Sequence, residues 1–150
     1  MEPRFEPLMS LIVNVGEVVS MGDGPLGERR VVAITGGAFE GPAIRGEVLP
    51  GADWQIARRD GVLDIDARYA LKEQAGGLVR VLSQGYRHGP DQVLEALARG
   101  DEVDPAAYFF RTIMRFETGA PYLDWLNGVI AVAIGERQAR RVLLEAYRLL

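Results

Sequence analysis

Four side chains able to hold or move a proton stand out in the chain: Asp53, Asp66, His88 and Glu117. Carboxylates and imidazole are the common general acids and bases, and they work best when burial or neighbours bring their pKa toward the working pH. His88 is the only histidine, and so the only side chain that titrates near neutrality unperturbed. Groups suited to gripping a small molecule accompany them. Arg68 and Arg111 can hold a carboxylate or an enolate, Trp54, Tyr69, Tyr108 and Trp125 offer aromatic wall, and Asn127 offers an amide. The chemistry this set fits is cofactor-free proton transfer on a small organic molecule, as in an isomerase, cyclase or lyase.

Each of these residues also has a plainer reading. Polar residues that alternate along a strand usually face water, which accounts for Asp64. Asp66 and Arg68, two apart on one face, are either a solvated pair or a fixed charge array inside a cavity. Asp53 either caps a turn through its side chain or points inward, and Trp54 is either core or cavity wall. Arg111 shares a strand face with Arg115 and Glu117, where an ion pair explains it as well as anion binding does. His88, in a loop before Pro90, reads equally as an exposed residue. With one histidine and no cysteine, a zinc site of N and S ligands is excluded. Glu47, Asp53, Asp64 and Asp66 are the acids available to a hard cation, but no metal and no cofactor is expected. The chain has neither a Gly-x-Ser-x-Gly elbow nor a phosphate-cradling glycine loop, so serine-hydrolase and nucleotide chemistry lack support.

Strands must position these groups. Residues 51–71 read as a hairpin turning at Arg59, Asp60 and Gly61. In its second strand Leu63, Ile65, Ala67, Tyr69 and Leu71 alternate with Asp64, Asp66 and Arg68. Pairing across the hairpin brings Asp53 and Trp54 toward Arg68 and Tyr69. Residues 8–15, 29–35, 38–49, 78–86, 108–117, 129–134 and 141–149 read as further strands, although the last also has a helical apolar face. Residues 22–27 read as a turn-rich loop. The one convincing helix covers residues 91–99, with Pro90 at its start, an apolar stripe of Val93, Leu94, Leu97 and Ala98, and Gly100 past its end. The pattern predicts an all-β, mainly antiparallel fold: a single closed or nearly closed β-barrel of about eight to ten strands with one short covering helix. Which strand faces point inward is open at this level.

A chain of 150 residues suits one domain. Sixteen of its seventeen basic residues are Arg, scattered along a chain of formal charge −4, which argues against a basic nucleic-acid face. Nothing approaches the run of about 20 apolar residues that spans a membrane, and the first residues lack signal-peptide order. A cytoplasmic location is expected.

Several stretches, in order, carry a family resemblance: R-R-V-V-A-I-T-G-G-A-F-E-G-P (29–42), R-G-E-V-L-P-G-A-D-W-Q (45–55), D-A-R-Y (66–69), G-Y-R-H-G-P (85–90), Y-F-F-R-T (108–112), R-F-E-T-G (115–119) and W-L-N (125–127). Together they resemble the bacterial domain-of-unknown-function family 3237. The resemblance implies a small antiparallel β-barrel, of the general kind seen in allene oxide cyclase-like and calycin-like proteins, and it implies no settled activity. The expected partners are a small organic ligand and a second copy in a homodimer or larger homo-oligomer. A non-catalytic carrier or sensor of a hydrophobic molecule, or a purely structural homo-oligomer, are the other functions compatible with the sequence.

Overall fold

A computed structural model describes residues 1–150. Nine strands form one antiparallel sheet: β1 (Phe5–Gly24), β2 (Gly27–Glu40), β3 (Arg45–Val48), β4 (Gly51–Ala57), β5 (Leu63–Glu73), β6 (Leu78–His88), β7 (Phe109–Glu117), β8 (Ile130–Arg137) and β9 (Arg141–Leu149). A helix, α1 (Asp91–Ala98), follows β6, and 3₁₀ segments cover Pro105–Ala107 and Pro121–Gly128.

The pairings return to their start. β1 pairs β9 on one edge and β2 on the other, and β5 through β9 pair successively as antiparallel neighbours. The gap between β2 and β5 is filled by β3 and β4 in turn, each antiparallel to both. These two are successive halves of one strand, interrupted at Pro50, so nine strands occupy eight positions around the circuit. Closure of this kind leaves no long unpaired edge. The expectation of a closed antiparallel β architecture with one short helix therefore holds.

Strand parity decides what lies inside. Leu63, Ile65, Tyr69 and Leu71 of β5 are buried, whereas Asp64, Asp66 and Arg68 look outward. Phe110, Thr112, Met114 and Phe116 of β7 are buried, and Phe109, Ile113, Arg115 and Glu117 are exposed. β1 and β2 run further than residues 22–27 predicted, because the hairpin between them turns tightly at Pro25 and Leu26. Where β2 passes from β4 to β3 it carries Gly36 and Gly37, and a Cβ at Gly37 would lie 1.9 Å from the Ile12 carbonyl oxygen. Only glycine lets the two backbones approach so closely.

The two ends of the ring differ. One is plugged by Pro121–Gly128, whose Leu123 and Leu126 are fully enclosed. The other, beside α1, is lined by polar side chains.

Candidate functional site

β4 supplies the centre of the polar end. Asp53 and Gln55 are two apart and point inward together, Gln55 being buried and Asp53 half-buried as a residue. Asp53 Oδ2 accepts from Gln55 Nε2 at 2.7 Å, and Oδ1 accepts from the Asp66 backbone N–H at 3.1 Å. Gln55 Oε1 in turn accepts from Arg30 Nη2 at 2.8 Å. A chain of bonds thus runs from β2 through β4 to β5.

Three arginines from three other strands converge on the same end: Arg30 of β2, Arg87 of β6 and Arg137 of β8. Each stands in phase with inward residues of its strand: Val32 and Ile34, Val81 and Ser83, and Ala131 and Ala133. Arg87 and Arg137 take part in no ion pair, and Arg30 reaches only Glu28, at 4.0 Å. Arg30 Nε and Arg87 Nε are enclosed without a hydrogen-bond partner. The Arg87 guanidinium lies 6.0 Å from the Phe110 ring centre. Tyr108, buried behind them, accepts from the Arg137 backbone N–H through its Oη at 2.8 Å.

Below this mouth is a small cavity of about 40 Å³, walled by Asp53, Tyr69, Ser83, Thr112 and apolar side chains from β1, β2, β5, β7 and β9. Ser83 and Thr112 satisfy each other through a 2.8 Å hydroxyl bond, but Tyr69 Oη has no partner. Above it opens a groove of about 530 Å³, and Val15 lines both spaces. An interior this tight is what eight strand positions produce when side chains fill the ring.

The electrostatics follow from enclosure. Burial raises the Asp53 pKa above the usual carboxylate value, against the lowering effects of the Gln55 and Asp66 hydrogen bonds and of Arg87. Burial, aided by repulsion from Arg137 and Arg30, pushes Arg87 down to about 10, so it remains a cation at neutral pH. Arg137 is lowered for the same leading reason, and burial raises both Tyr69 and Tyr108. Asp53 and Arg87 each favour the charged form of the other, yet no contact joins them.

The eleven residues singled out from the sequence do not meet in one place. Asp53, Tyr69 and Tyr108 lie at the polar end. Asp66 and Arg68 are a partly exposed pair on the outer face at 3.3 Å, and only the Asp66 backbone reaches Asp53. Trp54, 42% exposed, follows them outward. His88 is exposed and stacked on Phe109 with ring centres 4.7 Å apart, and Arg111 lies over that ring from the outside, 5.2 Å from its centre. Glu117 is exposed near the plugged end, opposite Arg80. Trp125 packs against the core within that plug. Asn127 clasps Thr118, accepting its N–H at 2.7 Å and donating to its carbonyl at 3.0 Å. The physical reason is parity: on β5 Asp66 and Arg68 alternate with the buried set and form its outer face, whereas β7 carries large apolar residues on both faces, so a polar residue there does not reveal which face is inside. Glu47, Asp53, Asp64 and Asp66 form no metal-ligating cluster. The sequence reading missed Arg30, Gln55, Arg87 and Arg137, whose signal is a polar residue in phase with the apolar face of its own strand.

A family model described as "Protein of unknown function (DUF3237)" matches residues 3–149. A UPF0311 protein of Rhodopseudomonas palustris is 39% identical over 100% of both chains, and one of Clostridium acetobutylicum is 37% identical over 99% of this chain and 95% of its own. The crystal structure of a Rhodopseudomonas palustris protein of unknown function superposes with a TM-score of 0.96 at 37% identity, covering 100% of this chain and 99% of that one. A β-barrel-like protein from Acinetobacter baumannii gives 0.87 at 40% identity, covering 100% and 98%. A protein described as an enzyme from Penicillium herquei gives 0.77 at 20% identity, over 100% of this chain and 96% of that one, a likeness of fold alone. Sequence and fold agree that the chain belongs to the DUF3237 family of proteins of unknown function.

Proposed function

We propose that the polar end of the ring binds a small organic molecule and that Asp53 acts on it as a general acid/base, without a cofactor. The observation that carries this reading is an enclosed carboxylate of raised pKa facing the same small cavity as an unpartnered tyrosine hydroxyl. Two of the roughly four lone-pair sites of a carboxylate are occupied at Asp53, so acceptor capacity remains for a substrate proton. In this scheme Asp53 takes a proton from a substrate carbon beside a carbonyl. The C–H electron pair becomes the C=C bond of an enolate and the carbonyl π pair moves onto its oxygen, where the nearby arginines stabilise the charge. Return of the proton to a different atom gives an isomer, and attack by or loss of a neighbouring group gives cyclisation or elimination. An enzyme on the same fold in Penicillium herquei is compatible with catalysis here. The cavity of about 40 Å³ holds little more than a water molecule, so the substrate sits in the arginine-lined groove above it with its reacting end toward Asp53, and no enclosed apolar space is left for a carrier's hydrophobic cargo.

The test is proton exchange. A panel of small keto and enol acids is incubated in D2O and followed by proton NMR. Loss of a C–H signal with the wild type but not with Asp53→Asn is the expected result; equal exchange with both sinks the role of Asp53.

A second copy of the chain is the partner this reading assigns to the outer face. Trp54, Tyr86, Phe109, Ile113, Ile130 and Ile134 are large, apolar and exposed on β4, β6, β7 and β8. Along one row of register Asp64, Tyr86, Arg111 and Ile134 are successive cross-strand neighbours. An acid stands on one side of the aromatic ring and a base on the other, and neither Asp64 nor Arg111 has an ion-pair partner in its own chain. A two-fold axis through Tyr86 would set each Asp64 against the other copy's Arg111, the self-complementarity an isologous contact needs.

A further inference from the structure

We propose that the groove above Asp53 is the recognition site for a small organic dicarboxylate, with one carboxylate held deep by Arg87 and Arg137 and the other at the rim by Arg140. The identity of the ligand deepens the acid/base reading and borrows from it only the direction in which the bound molecule faces.

Charge is the first argument. The groove wall holds five arginines, Arg30, Arg87, Arg99, Arg137 and Arg140, against one acid, Glu17, in a chain whose formal net charge is −4. Arg99 is neutralised by Asp101 at 3.0 Å, and Arg30 is engaged by Gln55. Arg87, Arg137 and Arg140 have no ion-pair partner. A second groove beside it, which shares Arg137 and Arg140, mixes Asp101, Glu102 and Glu136 with its arginines, so the imbalance is a property of this wall and not of the whole end.

Enclosure is the second. An unpaired buried cation is costly, and structures keep such a charge where something binds it. The donor at Arg87 Nε is enclosed and unmet. Arginine also presents a planar fork that matches a carboxylate in a two-point contact. Surface arginines in water would need no such explanation.

The third argument sets the ligand class. Beneath the groove, in the wall of the small cavity that shares Val15 with it, lies the Asp53 carboxylate, whose charge acts on both Arg87 and Arg137. A group carrying a double charge on one centre, such as a phosphate monoester, would set both charges at the deep end of the groove, on the side of that carboxylate. Two single charges spread along a carbon chain keep the inner one beside Arg87 and the outer one away from Asp53. The volume of about 530 Å³ accommodates a short chain between them.

The experiment is thermal unfolding of the full chain at pH 7 and constant ionic strength, with succinate, glutarate, acetate, inorganic phosphate or sodium chloride added. The dicarboxylates are expected to raise Tm in a saturable manner, with an apparent Kd at least about tenfold below that of acetate, because a second carboxylate is held at Arg140 in addition to the one at Arg87 and Arg137. Arg87→Met should abolish the rise, Arg87→Lys should weaken it, and Arg115→Met on the outer face should leave it unchanged. Asp53→Asn should bind at least as tightly as wild type, because a negative charge next to the ligand is gone. No rise above the chloride control, parity of acetate with the dicarboxylates, a preference for phosphate, or an undiminished response in both Arg87 variants would each overturn the proposal. Binding that persists while no compound exchanges its protons overturns the catalytic role of Asp53 and leaves this site standing.

Discussion

Asp53 is held by a neutral amide and a backbone N–H, while the cations that would neutralise it stay out of contact. Its folded-state pKa is raised above the unfolded value near 3.8, so the folded protein binds its proton more tightly than the unfolded chain does. That contribution is fully present below the unfolded pKa and is lost as pH rises through the folded one. Asp53→Asn cannot ionise and keeps only one of the two acceptor oxygens, so whatever its absolute stability, any advantage over wild type should be greatest at pH 7 and shrink as pH falls toward 3.8. Urea unfolding at the two pH values measures this; an advantage that grows toward acid contradicts it. Legibility at this scale was uneven. Asp53 and Tyr69 sit on the hairpin of residues 51–71 that the sequence singles out, and the structure brings both to one cavity. Arg87 and Arg137 escaped notice because arginine on a strand is ordinarily a solvent-facing residue. Only knowing that Ser83 and Ala133 face inward turns the phase of those arginines into information.

Among the elements, the 3₁₀ segment Pro121–Gly128 does the most to fix which end of the ring is open. Leu126 is 0% exposed at the plugged end. Leu126→Ala should cost about 2 to 5 kcal/mol by leaving a cavity that the rigid strand ends cannot collapse to fill. The chemical denaturation midpoint reports it, and a loss below about 1 kcal/mol would show that the plug is loosely packed. The strand of residues 63–73 was legible from clean alternation, that of residues 109–117 as a long strand-like run with apolar residues on both faces, and the helix from its proline, stripe and glycine. The division of one strand into β3 and β4 was not. Pro50 reads locally as a turn between separate strands, whereas its effect is to bend a single course that stays paired to β2 and β5 on either side. Long-range pairing sets that result, and no local pattern encodes it.

For the whole molecule, the proposed dimer would rest on charge as well as apolar area, through the outer row of Asp64, Tyr86 and Arg111. Ile113, 56% exposed next to that row, is the residue to change. Ile113→Asp should convert the proposed dimer to a monomer in sedimentation while leaving the fold intact, its Tm losing the concentration dependence a dimer shows, because the side chain contributes nothing to its own core. A wild type that sediments as a monomer at micromolar concentration removes the assignment. No helix is long and apolar enough to cross a membrane. That a ring of strands closes here was readable from the number of two-sided strands, since each must cover a neighbour. The order of strands around the ring was readable only in part, from the short hairpin turns that make successive strands adjacent.

The pairing of β1 with β9 has a consequence for the timing of folding. Phe5 is partnered with Leu149, and the Leu150 N–H donates to the Arg4 carbonyl at 2.9 Å. During synthesis β1 and β2 can zip as a hairpin early, but one side of β1 stays bare until almost all of the remaining chain has emerged from the ribosome. Until then the nascent protein is an open, growing sheet with two templating edges, and Arg137 has no β9 beside it. The arginine-lined mouth is therefore complete only once β9 has paired with β8 and β1.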